Sequence, residues 1–271
     1  MMRSLYSAVS GLKNHQIKMD VIGNNIANVN TTGFKKSRTT FATALSQTLQ
    51  GASVSTATSG GNGGTNPIQV GLGASLSSID QMMTQGSASS TGVGTDLMIN
   101  GPGFFALQQG SQTVYSRAGA FHKDSDNYLV DAAGSKVLDD TGTPIQITAG
   151  TASFTIDSMG AITEVDSAGT SSTNPQYIQL ATFPNDTGLL SIGGSYYLPS
   201  NNSGTINIFG GTTTNYPSGT TLSSGNLEMS NVDLSSEFTD MIIAQRGFQA
   251  NSRVITVSDS LLEELINLKR S

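Results

Sequence analysis

The stretch Leu234-Ser-Ser-Glu-Phe-Thr-Asp-Met-Ile-Ile-Ala-Gln-Arg-Gly-Phe-Gln-Ala-Asn-Ser-Arg-Val-Ile-Thr-Val-Ser-Asp-Ser-Leu-Leu262 decides how the chain is read. Leu234, Met241, Phe248, Ile255 and Leu262 recur every seven residues, which places them on one side of an α-helix. Ile243, Gly247, Ala250, Val254, Val257, Leu261 and Leu268 form a second stripe on roughly the opposite side. One apolar stripe buries a helix against its own domain, whereas two opposed stripes require partners on both sides. Asp233, Glu237 and Asp240 open this helix and Lys269 and Arg270 close it, as the helix dipole prefers. A glycine inside a helix costs about 1 kcal/mol relative to alanine. Gly247 therefore predicts a small seam where another helix approaches closely.

The other end of the chain carries a matching pattern. Leu5, Ala8, Leu12, His15, Met19, Ile22, Ile26 and Val29 step by threes and fours, a coiled-coil seam with His15 as its one polar member. Asn28, Asn30, Thr31, Thr32 and Gly33 stop it, because Asn and Gly tolerate left-handed backbone and compete for helical hydrogen bonds. The two helices would extend roughly 45 and 55 Å. A single chain of 28.1 kDa cannot surround rods of that length, so assembly is the expected state.

The middle is β-rich. Asp96-Leu-Met-Ile-Asn100-Gly-Pro-Gly-Phe104-Phe-Ala-Leu107 sets Asn-Gly between two apolar runs, a hairpin-type signal lengthened by Pro102. Short strands are predicted at 113–116, 128–131, 145–148, 153–157, 162–165, 177–183, 195–198 and 205–209, separated by turn residues. That spacing suggests a small barrel or sandwich rather than βαβ units. Residues 46–75 are low in complexity, with Ser59-Gly-Gly-Asn-Gly-Gly-Thr65 at their centre, and read as a flexible connector. The expected class is α+β. Its parts are an N-terminal helix over 1–34, a connector arm over 35–75, a β-rich domain over 76–225 and a C-terminal helix over 226–271, with the two helices paired.

Composition narrows the function. Only 12% of the 271 residues are charged, about half the usual share, while 37 Ser, 31 Thr and 31 Gly make up over a third of the chain. Without cysteine there is no disulfide scaffold, thiolate metal site or cysteine nucleophile. Thirteen basic against nineteen acidic residues, and a pI near 4.7, argue against a nucleic-acid partner. No apolar run reaches membrane-spanning length, and no apolar leader core precedes a small-residue cleavage site. Charge is also sorted along the chain: residues 1–40 are net basic, 41–225 net acidic, and 226–271 mildly acidic.

Candidate chemistry is thin. Val70-Gly-Leu-Gly-Ala-Ser75 lacks the Lys-Ser/Thr ending of a phosphate loop. Asp124-Ser-Asp126 opens like a calcium loop, but Leu129 replaces the glycine at the sixth position and Ser135 the glutamate at the twelfth. His15 and His122 stand apart from any ligand set. The expectation is no catalytic residue, no metal and no cofactor.

Three groups of motifs point to a family. The first is Met1-Met-Arg-Ser-Leu-Tyr-Ser-Ala-Val-Ser-Gly-Leu12 continuing through Ile22-Gly-Asn-Asn-Ile-Ala-Asn-Val-Asn-Thr-Thr-Gly-Phe-Lys35. The second is the tail, with Asn226-Leu-Glu-Met-Ser-Asn-Val-Asp-Leu234, Ala244-Gln-Arg-Gly-Phe-Gln-Ala-Asn-Ser-Arg253 and Leu265-Ile-Asn-Leu-Lys-Arg270. The third is internal, Thr95-Asp-Leu-Met-Ile-Asn-Gly-Pro-Gly-Phe-Phe105 and Tyr115-Ser-Arg-Ala-Gly-Ala-Phe121. Together they resemble the axial proteins of the bacterial flagellum, the rod and hook family. Glu237-Phe238, Arg246-Gly247-Phe248 and Asn251-Ser-Arg253 resemble the hook branch more than the distal rod branch.

The resemblance implies a non-enzymatic subunit of a hollow helical homopolymer, with paired terminal helices lining a central channel and β-domains outside. Leu5, Leu12, Met19, Ile22, Ile26, Leu234, Met241, Gly247, Phe248, Ile255 and Leu262 would pack the inner tube. Implied partners are other copies of the chain, the distal rod protein, the hook cap, the hook–filament junction proteins and the flagellar type III export apparatus, with no nucleic acid and no membrane insertion. The location would be the extracellular flagellum, reached without a cleaved signal. Phe41-Ala-Thr-Ala-Leu45 resembles a short export motif of early substrates. The expected role is the curved hook, with a straight rod subunit as the alternative; a secreted β-rich carbohydrate-binding or hydrolytic domain is the rival from another class.

Overall fold

The computed structural model describes residues 2–54, 63–166, 169, 171, 176–210, 216, 217 and 219–270. Most of the Gly-rich centre of the connector, residues 55–62, lies outside them. The chain forms two compact units, one from 1–26, 37–80 and 233–271 and the other from 27–36 and 81–232. Helices belong to the ends of the chain and strands to its middle, an α+β organisation as expected.

The first unit contains α1 (Met2–Ala27), β1 (Ser37–Thr43), β2 (Ser46–Gln50), β3 (Ile68–Gly71), β4 (Ala74–Gln81) and α2 (Leu234–Arg270). Strands β1 and β4 pair with each other, and β2 and β3 form an antiparallel ribbon with Gln47 opposite Val70. The segment read as a connector is thus partly strand. Its side chains are mostly exposed on both faces of the ribbon, so no alternation of apolar and polar residues announces it. The helix expected over 226–271 starts later, at Leu234. Asp233 caps it: its carboxylate accepts from the Ser235 amide at 3.0 Å and its carbonyl from the Glu237 amide at 3.0 Å.

The second unit contains β5 (Ala88–Ser90), β6 (Leu97–Asn100), β7 (Phe104–Gln109), β8 (Gln112–Ser116), β9 (Phe121–Lys123), β10 (Leu129–Asp131), β11 (Lys136–Val137), β12 (Thr151–Ile156), β13 (Ala161–Asp166), β14 (Gln176–Tyr177), β15 (Leu180–Thr182), β16 (Leu190–Gly193), β17 (Tyr196–Leu198), β18 (Asn207–Phe209), β19 (Thr221–Ser224) and β20 (Asn226–Glu228). Its largest sheet has nine strands. They run β16-β17-β8-β7-β11-β10-β9, with β15 paired to β7 and β18 to β15. Smaller sheets are β12-β13-β14, β6-β19 and β5-β20.

Strand β7 sits between two cores because strand side chains alternate faces. Phe105 and Leu107 join Leu97, Ile99, Phe121, Ile145 and Ile178 in one cluster; Phe104 and Ala106 join Tyr115, Phe183 and Tyr197 in the other. Edge-to-face ring pairs set both: Phe105 on Phe121 at 5.1 Å and Tyr115 on Phe183 at 5.0 Å between centroids. The apolar run 145–148 forms bridges rather than a strand, with Gln146 opposite Tyr128 and Ile145 and Ile147 buried.

The segments that enter and leave this unit lie side by side. The Gly33 amide donates to the Glu228 carbonyl at 2.8 Å. Gly33 has a φ of 68°, and a β-carbon there would lie 2.5 Å from the Ala118 amide nitrogen, so both conformation and space call for glycine. Asn231 closes the neck, accepting from the Lys36 amide at 2.8 Å and donating to the Met82 carbonyl at 2.8 Å.

Candidate functional site

The candidate site is the helix pair of the first unit. Gly11 packs against Asn251, His15 against Gly247, Lys18 pairs with Asp240 at 3.0 Å, and Asn25 donates to Glu237 at 3.1 Å. Numbers rise along α1 as they fall along α2, so the helices are antiparallel. Close approach comes from the two glycines. A β-carbon at Gly247 would stand 2.5 Å from the His15 ring, and one at Gly11 would stand 2.6 Å from the Asn251 amide. The seam that Gly247 predicts is therefore formed inside one chain, by α1.

Buried Ala244, Glu237 and Ser258 alternate with half-buried Met241, Phe248, Asn251, Ile255 and Leu262, so the inward face of α2 keeps a heptad. Four of the five residues of the first predicted stripe lie on it; Leu234, at the helix start, is exposed. In α1, Ile22 is buried and Leu5, Leu12, Met19 and Ile26 are half-buried. The polar members Asn25, Glu237 and Asn251 were not read as seam residues in the sequence, since heptad reading counts apolar residues. Asn25 is 1% exposed and imitates a strand neighbour for Ser37, donating to its carbonyl and accepting from its amide, both at 2.9 Å.

Gly247 of the second stripe faces α1, whereas the larger side chains of that stripe lie on the exposed side of α2. Ile243, Val254, Val257, Leu261 and Leu268 are all exposed, Val257 by 58% and Leu268 by 72%. Ile242, Leu265 and Ile266 widen it. So long an exposed apolar strip on a helix marks an interaction surface. Phe41 on β1 and Leu45 after it are exposed as well.

A cluster of buried charges lies in the second unit. Lys35 and Glu228 side chains are fully buried and meet at 2.6 Å, and Arg117 reaches the other Glu228 oxygen at 3.3 Å. Burial pushes the Lys35 ammonium and the Arg117 guanidinium below their ordinary values, and the Glu228 charge opposes this for both. These residues fall inside the motifs quoted above, yet nothing in their spacing marks them as neighbours. Among the described residues no group of three His, Cys, Asp or Glu side chains is placed to hold a metal. Nor is any helix long and apolar enough to cross a membrane.

Family models place the same segments. Residues 5–35 match the flagella basal body rod protein model, 98–164 the flagellar hook protein FlgE/F/G D1 domain, and 223–268 the flagellar basal body rod FlgEFG protein C-terminal model. The chain is 50% identical over 273 residues to the flagellar basal-body rod protein FlgG of Bacillus subtilis, covering the whole of both chains. It belongs to the flagellar rod and hook family. A hook relative, FlgE of Borreliella burgdorferi, is 31% identical over 447 aligned residues that take in 99% of this chain and all of that one. Another, FlgE of Treponema pallidum, is 52% identical over 133 residues, 49% of this chain and 28% of that one. The chain is accordingly a structural subunit of the flagellar axis, not an enzyme, and its place is the flagellum.

Proposed function

We propose that the chain is a rod subunit that polymerises through the outward stripe of α2 into a hollow helical tube. The observation that carries this reading is that α2 already has α1 on its inward face while Ile243, Val254, Val257 and Leu261 stay exposed. A head-to-tail contact whose rotation does not close yields a helix of subunits rather than a ring. In this reading Leu5, Leu12, Met19, Ile22, Ile26, Met241, Gly247, Phe248, Ile255 and Leu262 hold each pair rigid, with Leu234 at its edge. The second stripe joins one pair to the next.

Support for rod over hook comes from length. The rod relative aligns end to end over 273 residues, whereas alignment to the hook relative of Borreliella burgdorferi runs to 447. The hook remains the second reading, favoured by the 52% identity to the Treponema pallidum hook protein. Neighbouring axial proteins would meet the two ends of the tube, and export through the flagellar type III apparatus would deliver subunits, with Phe41 and Leu45 as its motif. Electron microscopy of the purified, polymerised chain separates the readings: straight, stiff tubes support the rod, curved tubes support the hook, and failure to polymerise at any concentration removes both.

A further inference from the structure

Among the described residues Glu228 is the acid bonded to both Lys35 and Arg117, and it comes late in the chain. Its Oε1 accepts from Lys35 Nζ at 2.6 Å and from the Gly86 amide at 2.9 Å; its Oε2 accepts from Arg117 Nη1 at 3.3 Å. The cations have other acceptors, but these are neutral carbonyls. Lys35 Nζ donates to Thr84 at 2.8 Å and Arg117 Nη2 to Gly101 at 2.9 Å. In sequence Glu228 stands 193 residues after Lys35 and 111 after Arg117.

Main-chain bonding alone sets a different order. Every strand of the nine-stranded sheet lies before Gly210, so its ladder and the cluster of Phe104, Tyr115, Phe183 and Tyr197 could form without the last segment. The Lys35 ammonium would then have to leave water without its bonded acid, and the Arg117 guanidinium with Asp186 alone nearby. Burying an unpaired charge is among the costliest steps in folding, and removing one partner of a buried pair is strongly destabilising. Asp186 acts on Arg117 from nearby, but the only acid acting on Lys35 is Glu228.

We propose that Glu228 is a closing latch: the second unit has no stable fold until its carboxylate arrives. A chain that emerges N-terminus first, from a ribosome or a narrow channel, therefore stays unfolded through its middle until residues 226–228 are out. This holds for rod and hook alike, so it stands independently of the function proposed above.

The test uses the full chain and amide hydrogen exchange at Phe104–Gln109 and Gln112–Ser116, the central strands of the large sheet. Glu228→Gln keeps size and one acceptor oxygen but leaves two buried cations. Its protection at these strands should fall by about 100-fold or more. The double variant Lys35→Met with Glu228→Gln restores the wild-type net charge of the cluster, and the Thr84 carbonyl keeps the Asn231 amide as donor at 3.2 Å. It should recover to within about tenfold of the wild type. Wild-type protection in Glu228→Gln overturns the latch. So does a double variant as unprotected as the single, since Glu228 would then act through its bond to Gly86 or the packing of β20 and not through charge.

Discussion

Gly247 lies against the imidazole of His15, and the absence of a side chain there sets how closely α2 approaches α1. Substituting Gly247→Val places branched carbon where the ring stands. Overpacking costs about 1–3 kcal/mol, more than the few tenths regained in helix propensity over glycine. Thermal unfolding followed by helical circular dichroism should show a lowered midpoint. Pairing the change with His15→Ala should recover most of it, because the two sites share one contact.

Asn25 offers a second probe of the same pair. Asn25→Ala leaves the Ser37 amide and carbonyl without their partners and withdraws a donor from Glu237. Each buried polar group left unpaired costs about 1–3 kcal/mol. The Ser37 amide should lose its hydrogen-exchange protection first, ahead of α1 itself. Wild-type protection at Ser37 would show that water replaces the side chain without loss.

Assembly and folding should separate on opposite faces of α2. Val257→Asp adds charge to the exposed stripe and touches none of the contacts to α1. The monomer should keep its unfolding free energy to within about 0.5 kcal/mol, the range of ordinary surface changes, and sedimentation should find no polymer. Polymerisation at the wild-type concentration would move the contact to another surface.

Alkaline pH should act on the second unit. Burial holds the Tyr197 phenol up to about 12, with Glu228 adding to the rise and Arg117 opposing it. Tyr216 is raised as well, chiefly by burial, and its hydroxyl donates to the Ile178 carbonyl at 2.7 Å. The fold thus holds the neutral phenols while the unfolded chain releases their protons from about pH 10. Stability is full below that pH and falls between about 10 and 12, by about 1.4 kcal/mol per pH unit for each such group. Loss of β-sheet signal should accompany tyrosinate absorbance, and Tyr197→Phe should flatten the slope. An unchanged slope in that variant would assign the transition to other groups.

The helices were legible because burial on a helix leaves a period. Met241, Phe248, Ile255 and Leu262 fall on the inward face of α2, and Ile243, Val254 and Val257 on the exposed one, as the two stripes required. Strand β7 was visible as a run of apolar residues beside Asn100-Gly101. Other features left no trace of this kind. The ribbon of β2 and β3 is exposed on both faces, so Ser46–Gln50 carries no alternation. Lys35, Arg117 and Glu228 are single polar residues from three distant segments, and nothing local records that they meet. Asn25 flanks the apolar seam of α1 and Glu237 takes a seam position of α2, and their hydrogen bonds depend on a strand and a helix brought together in space.

The neck at which Gly33 bonds Glu228 also bears on how chains of this family change length. Where the first and last segments of a body are tied to each other, extra residues placed between them lengthen an excursion without shifting its endpoints. The thermodynamic penalty of a longer excursion grows only logarithmically. The alignments to the rod relative and the hook relative run to 273 and 447 residues. Such a tether lets insertions enlarge the second unit while its two ends stay joined at one place, so growth of the chain need not disturb the helix pair.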